Sequence, residues 1–281
     1  MKEKKPRVYM AKLTRTTIIC IVMAIFLGVT LFPFFWMLST SFKIRGEFFT
    51  TPPIFIPPRI TLTAFKDSLG AGGLKALQDS FIIASVSMIF SLILGSMGAY
   101  ALRGFKRIGK NFAFWILLIE MVPSISIALP LFILYRTLHL LDTYTALILG
   151  NTVFVLPFVI WLLMGFLEEI PFEIEEAAQI DGCSRFQIFI QITLPLIKPG
   201  LVAVGFFAFI LPWNEFLMAL IFTRSRVTPL TVVIPSLVMS DTIAWEQVAA
   251  LSIMAIGPPI LIAIIFQRYL VRGLTFGAVK G

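Results

Sequence analysis

Apolar residues along this chain form six long runs, and the segments between them contain most of the charged residues. Each run has the roughly 20 residues that a helix needs to cross about 30 Å of hydrocarbon. Backbone groups in lipid must satisfy their own hydrogen bonds, and the chain lacks the alternating pattern of a membrane barrel. We therefore expect an all-α integral membrane fold, one transmembrane domain over 1–281, with spans at 17–38, 80–101, 112–135, 144–167, 200–222 and 248–271.

The composition excludes an ordinary soluble domain. Of 281 residues, 58% are hydrophobic and 14% charged, whereas soluble domains average about 45–50% and about 25%. The excess apolar surface must face something other than water, so we expect contact with membrane lipid. The net charge of +8 fits basic loops on the cytoplasmic side and does not indicate nucleic-acid binding.

The basic residues also predict the orientation. Six spans place both termini on one side. Fifteen of the 23 Lys and Arg residues lie in the termini, counting Arg268 near the end of the sixth span, and in the 102–111 and 168–199 loops. Both termini are therefore expected in the cytoplasm. The basic segment Met1 to Arg15 resembles the start of a signal peptide. The following apolar run is too long for one, however, and no cleavage signal follows it, so we expect a retained first span.

One short motif suggests a nucleotide site and is rejected. Residues 104–110 match GxxxxGK, but Asn111 replaces the Ser or Thr that would hold Mg²⁺. The motif also lies between two membrane spans, whereas a phosphate-binding loop follows a strand. We interpret it as a basic cytoplasmic loop, and any ATP must be hydrolysed by another chain.

No catalytic or metal site is predicted. Cys20 and Cys183 have no framework spacing, and His139 has no second ligand nearby. No nucleophile, base and orienting group are recognisable together. We expect no enzyme activity and no cofactor in this chain.

A few polar groups interrupt the apolar runs. Glu120 lies in the third span, and Trp213, Asn214 and Glu215 lie in the fifth. Ionisable groups in a span are costly and usually face a cavity, a partner or the bundle interior. These residues are candidates for the substrate pathway, and a hydrogen-bonding role between helices remains the alternative.

Small residues and prolines mark where helices approach or break. Prolines occur in nearly every span and predict interruptions that line a pathway. In the second span, four small residues recur every four positions and predict a close helix–helix contact, within this chain or with a partner. They are Ser87, Ser91, Gly95 and Ala99.

The loop between the fourth and fifth spans is acidic on a side that should be basic. Residues 168–199 contain six acidic residues against two basic ones, which suits contact with a basic protein surface. Pro171 is placed to begin a helix, Gly182 to end it in the left-handed conformation, and Ser184 to cap the next. We predict two short helices joined by a glycine elbow.

This loop also carries a family resemblance. Glu176-Ala177-Ala178-x-x-x-Gly182 and Ile192-x-Leu194-Pro195 match the cytoplasmic EAA loop of permeases in bacterial ATP-binding-cassette importers. The chain resembles the MalG-like carbohydrate permeases over nearly its whole length. The supporting stretches are Trp36 to Lys43, Leu138 to Tyr144, Trp213 to Phe216 and Arg272 to Gly281.

The resemblance implies a bacterial inner-membrane importer for a sugar or sugar derivative. Its expected partners are a second, homologous permease, two ATPase subunits that bind ATP and Mg²⁺, and an extracytoplasmic solute-binding protein. The EAA loop would couple to an ATPase, and the tail 273–281 would contact the ATPase pair. The coupling residues would be Glu176, Ala177, Ala178, Gly182, Ile192, Leu194 and Pro195.

Two alternatives remain at this point. Importers of the same type for peptides, polyamines or phosphonates share the EAA loop, so the motif alone does not establish a sugar. A stand-alone secondary transporter would need an inverted repeat or a chain of intramembrane carboxylates, and neither is recognisable in the sequence.

Overall fold

The computed structural model describes residues 5–105, 109–118, 121–239 and 243–275, and the regular elements in these ranges are helical. The helices are α1 (Lys5–Ser41), α2 (Thr63–Ser68), α3 (Leu74–Arg103), α4 (Gly109–Leu118), α5 (Ser124–Thr137), α6 (Tyr144–Glu168), α7 (Phe172–Ile180), α8 (Arg185–Ile188), α9 (Leu194–Leu196), α10 (Lys198–Asn214), α11 (Leu217–Phe222), α12 (Leu230–Val238) and α13 (Trp245–Thr275). Glu120 and the end of the tail, 276–281, lie outside the described residues.

By length and composition, the described residues contain four helical stretches that are able to cross a membrane. These stretches include four of the predicted spans, the first, second, fourth and sixth, which fall within α1, α3, α6 and α13. A fifth is added if Arg185–Leu196 and Lys198–Asn214, bent by 81° at their junction, count as one span. The prediction of six spans is thus supported in its helical, multi-spanning character, and the full count stays a prediction.

The third and fifth predicted spans are not continuous helices. In the third, α5 begins only after Pro123, whose ψ of 128° is not helical. In the fifth, α10 ends at Asn214, Glu215 is extended, and α11 begins at Leu217. Proline lacks a backbone N–H and disfavours helical backbone in the residue before it, which suits the start of α5 after Pro123 and weakens the turn at Pro212.

The other prolines do not have the expected effect. Helices α1, α5, α6 and α13 continue through their internal prolines, which are Pro33, Pro130, Pro157, Pro258 and Pro259. The expectation that prolines interrupt nearly every span was therefore too broad. A helix keeps its other hydrogen bonds when one donor is missing, so proline alone does not end it.

The chain divides into two compact units, the first made of the described residues of Met1–Ala71 and Ser240–Ile253. Here the segment after α1 folds back, so that the Thr61 backbone N–H donates to the Phe42 carbonyl at 3.2 Å. Phe48 stacks on Trp245 with ring centroids 5.1 Å apart. None of the residues in the most apolar stretch of α1 is buried within the chain, so lipid or a partner must cover its exposed apolar side chains.

The second unit comprises the described residues of Gly72–Met239 and Met254–Gly281, and it contains the core. Near the Arg103 end of α3, the helices α3, α6 and α10 enclose a cluster that includes Ala99, Val159, Leu163 and Ala208. Near the other end, α3, α5, α6 and α11 enclose a second cluster. Helix α6 contributes to both clusters and is the centre of this unit.

The row of small residues on α3 packs against α6 of the same chain. Ser87 and Ala99 are fully buried, and a Cβ placed on Gly95 would lie 2.5 Å from Cγ1 of Val159. The predicted close helix contact is therefore present within this chain.

Candidate functional site

The acidic loop folds as two short helices around Gly182, as the sequence predicts. Helix α7 begins after Pro171 and carries Glu173 and Glu175 in its first turn, where the helix dipole favours negative charge. At its end, Gly182 has φ of +88°. The Gly182 N–H donates to the Gln179 carbonyl and the Cys183 N–H to the Ala178 carbonyl, both at 3.0 Å. This pair of bonds is the Schellman arrangement, which closes a helix with a left-handed residue.

The second arm of the elbow starts with a reciprocal cap. The Ser184 hydroxyl accepts from the Gln187 backbone N–H at 3.3 Å, and the Ser184 backbone N–H donates to Oε1 of Gln187 at 2.8 Å. This capping box satisfies two donors that α8 would otherwise leave open. Both sides of Gly182 are thus held by local hydrogen bonds, so the elbow has a defined shape.

The elbow presents both acidic and apolar side chains to solvent. Glu176 and Ala177 are exposed, whereas Ala178 is buried within the chain. Ile180 is 86% exposed and Phe186 is 63% exposed. Apolar side chains this exposed, beside a carboxylate, are typical of an interaction surface.

The return segment anchors the loop to the membrane helices. Ile192 and Leu194 are half-buried, and Leu194 packs on the core of α3, α6 and α10. Pro195 is exposed. Leu194 therefore attaches the second arm to the bundle, while the exposed tip lies at Ile180 and Phe186.

A buried ion pair joins the loop to α3. Nη1 of Arg103 donates to Oε1 of Glu175, and Nη2 donates to the Ile170 carbonyl. In the sequence, Arg103 is one of four basic residues in the 102–111 loop. Arg103 and Glu175 are 72 positions apart, and no local sequence pattern indicates that they are in contact.

The polar residues of the fifth span form a helix break. Trp213 is buried and stacks on Phe209 with centroids 5.4 Å apart, while Asn214 is exposed. The Glu215 carboxylate accepts from the Met218 N–H at 3.0 Å and the Ala219 N–H at 3.3 Å. Glu215 therefore caps α11. This is a structural role for Glu215, in addition to its predicted role in the substrate pathway.

Asp142 and Asp79 hold a second loop at the other end of α3. The Asp142 carboxylate accepts backbone N–H groups from residues 224–227, at distances of 2.9–3.2 Å. Burial raises the pKa of Asp142, but the four donors outweigh it, so that the pKa lies well below its usual value. Asp79 accepts from the Thr228 N–H at 2.8 Å and from the Tyr144 hydroxyl at 2.6 Å.

The GxxxxGK segment has the context of a helical loop. Helix α3 ends at Arg103 directly before Gly104, and α4 begins at Gly109. A phosphate-binding loop requires a preceding strand, so the described part of this segment agrees with its rejection as a nucleotide site. Lys106, Arg107 and Ile108 lie outside the described residues.

The model of the family described as "Binding-protein-dependent transport system inner membrane component" matches residues 91–276, which include the whole acidic loop. The chain belongs to this family. It is 38% identical over 253 residues to the "Probable ABC transporter permease protein y4oR" of Sinorhizobium fredii, covering 90% of this chain and 91% of that protein.

A second relative confirms the predicted resemblance to MalG-like permeases. The "Trehalose/maltose transport system permease protein MalG" of Thermococcus litoralis is 34% identical over 272 residues, covering 94% of this chain and 97% of that protein. A solved structure, of a bacterial ABC transporter involved in the import of the acidic polysaccharide alginate, has a TM-score of 0.75 at 24% identity. It covers 96% of this chain and 99% of that chain and shows a shared fold.

In this member of the family, some features of the acidic loop are predictable from the sequence and others are not. The sequence predicts the elbow because its helix ends, glycine and capping serine are local signals. It does not predict the Arg103–Glu175 pair or the Asp142 anchor, because both depend on which helices pack together. Long-range contacts of this kind have no short sequence signature.

Proposed function

We propose that this chain is the transmembrane permease subunit of an ATP-driven, binding-protein-dependent importer for a sugar or sugar derivative. It would form half of the translocation pathway, with a homologous second permease forming the other half. Two separate ATPase subunits would bind ATP and Mg²⁺ in the cytoplasm, and an extracytoplasmic receptor would deliver the solute. The carbohydrate assignment follows the relatives named as sugar permeases.

The observation that carries the proposal is the elbow around Gly182. It is a short, locally braced element with exposed Glu176, Ile180 and Phe186, attached to a membrane bundle. Closure of two ATPases around ATP must become movement of membrane helices, and a braced element transmits such movement as a rigid body. The exposed charge and apolar side chains suit a cleft with basic and apolar walls.

In this proposal the loop and both termini lie in the cytoplasm, and the chain crosses the membrane six times. Helices α4 and α5 together make the third span, and α10 and α11 make the fifth. Helix breaks within a bilayer are tolerated where they are buried in protein or line an aqueous cavity. The break at Asn214 and Glu215 therefore supports a place near the pathway or the second permease.

Reconstitution of the complete importer tests the function. Proteoliposomes that contain both permeases and the ATPases are given the receptor and a labelled sugar outside and Mg-ATP in the ATPase compartment. We expect uptake that requires ATP and the receptor together, and no uptake with an ATPase variant that cannot hydrolyse ATP. Uptake driven by an ion gradient without ATP would contradict the proposal and favour a secondary transporter.

The solute class is tested separately on the receptor. Calorimetric titration of the purified receptor with mono- and oligosaccharides, amino acids and polyamines should give heat only with carbohydrates. Binding of a non-carbohydrate alone would retain the importer and overturn the sugar assignment.

A further inference from the structure

We propose that Arg103 and Glu175 lock the coupling helix α7 to the end of membrane helix α3, which makes Arg103 a positioning residue for ATP coupling. The inference rests on the proposed function. It adds the contact through which a push on the loop would reach the membrane helices.

The guanidinium of Arg103 is held on three sides by the start of the loop. Besides Glu175 and the Ile170 carbonyl, it faces the ring of Phe172, whose centroid lies 4.4 Å from Cζ. The side chains of Arg103 and Glu175 are only 3% and 10% exposed. A planar guanidinium makes two divergent hydrogen bonds and stacks on an aromatic ring at once, which an ammonium group does not.

Glu175 also reaches the second arm of the loop. The Thr193 hydroxyl, fully buried, lies 3.4 Å from Oε1 of Glu175. One turn before Arg103, the ring of Tyr100 packs on Phe189 with centroids 5.0 Å apart. The end of α3 therefore contacts both α7 and the return segment, and Glu175 lies where the three meet.

The carboxylates of α7 differ in burial. Glu175 is buried and paired with Arg103, whereas Glu173 and Glu176 on the same helix are exposed. Removing one member of a buried pair leaves an uncompensated charge that is shielded from solvent, which is strongly unfavourable. Helix α7 would then shift so that the remaining charge reaches solvent, and movement of the ATPase would no longer be passed to α3 faithfully.

The test measures coupling rather than activity alone. Arg103→Lys and Glu175→Gln keep a polar group of similar size, and Glu173→Gln is the matched control on the exposed face of α7. We expect both pair variants to retain the ATPase subunits, while the ratio of receptor-stimulated to basal ATP hydrolysis falls by about tenfold or more. In Glu175→Gln the charge of Arg103 is left unpaired, and in Arg103→Lys the ammonium group does not reproduce the two divergent bonds and the ring contact of the guanidinium. Glu173→Gln should behave as wild type, and a normal ratio in both pair variants would overturn the inference.

A second measurement leaves the pair intact, so it does not depend on recovery of folded variants. Spin labels at the exposed positions Phe105 and Glu173 report the distance between the end of α3 and α7. We expect one distance distribution that is the same in nucleotide-free and ATP-bound complexes. A distribution that moves with nucleotide would show that α7 slides on α3, contrary to the proposal.

These outcomes separate the inference from the proposed function. If the wild-type chain neither binds an ATPase nor supports ATP-dependent uptake, the proposed function fails. If the wild type is coupled and the pair variants are equally coupled, only the role of Arg103 and Glu175 fails.

Discussion

Substitution of Gly182 separates backbone strain from loss of contact with a partner. Its φ of +88° is rarely adopted by L residues. A Cβ built on Gly182 meets no atom within 4 Å. Within this chain a side chain at position 182 therefore costs conformational energy and creates no clash.

The size of that cost follows from the backbone alone. A residue with a Cβ pays about 1–2 kcal/mol in the left-handed conformation, and Asn or Asp pays less because it tolerates this region. A cost of about 1–2 kcal/mol shifts the local equilibrium roughly 5- to 30-fold. Gly182→Ala should therefore loosen the elbow, while Gly182→Asn and Gly182→Asp should hold it better.

If Gly182 contacts an ATPase, the order of severity among these variants is reversed. If an ATPase cleft closes over Gly182, the larger side chains are excluded, and Gly182→Asp also adds a charge beside Asp181. We expect Gly182→Asp to lose the ATPase subunits on purification and to abolish receptor-stimulated ATP hydrolysis. Gly182→Ala should keep part of both.

Gly46 provides the matched control for this series. It has φ of +92° and also has no atom within 4 Å of a built Cβ. It lies, however, in the predicted external segment, residues 39–79, which join the first two predicted spans on the side away from the cytoplasm. The same substitutions at Gly46 should leave ATPase retention unchanged. Normal retention and normal stimulation with Gly182→Asp would refute the reasoning, because the elbow would then have no partner.

The remaining predictions concern packing, pH and the pathway. Gly95→Ala places a Cβ 2.5 Å from a valine methyl of α6. It should cost about 1–3 kcal/mol of folding stability and lower the melting temperature in detergent. The control Gly165→Ala, whose Cβ would have no atom within 4 Å, should leave the melting temperature unchanged. Asp142→Asn should lower the melting temperature at neutral pH, because it weakens charge-assisted bonds worth about 1.5–3 kcal/mol each. The pKa of Asp142 is lower in the folded chain than in the unfolded chain. The carboxylate therefore contributes fully to the free energy of unfolding above the unfolded pKa of about 3.9, and this contribution is lost as the pH falls towards the folded pKa. A stability advantage of wild type over Asp142→Asn that grows below about pH 4 would contradict this. In a chain without other cysteines, Asn214→Cys should react with a membrane-impermeant thiol reagent in at least one nucleotide state and Glu215→Cys more slowly, whereas inertness of both in every state would remove them from the pathway.

The sequence predicts most strongly what depends on local signals. The elbow follows from Pro171, Gly182 and Ser184, because each has a preferred place at a helix end. Long apolar runs likewise predict α1, α3, α6 and α13. The break after Asn214 is less predictable, since Pro212 weakens the helix but the Glu215 carboxylate decides where α11 starts.

What the sequence does not predict depends on packing between distant segments. The row of small residues on α3 indicates a close neighbour, but only the fold shows that the neighbour is α6. Arg103 has the appearance of a cytoplasmic basic residue, and its burial against Glu175 results from the way α3 and the loop pack. The acidic composition of the loop likewise does not show which carboxylate faces inward.

Cross-linking from the tip of the elbow tests the central claim most directly. A photoreactive amino acid is placed at Ile180, 86% exposed, and for comparison at Ile56, 75% exposed, in the predicted external segment. In the complete importer under ultraviolet light, position 180 should form a covalent product with the ATPase subunit and position 56 should not. No product from position 180, in nucleotide-free and ATP-bound complexes alike, would contradict the account of this loop as the contact between permease and ATPase.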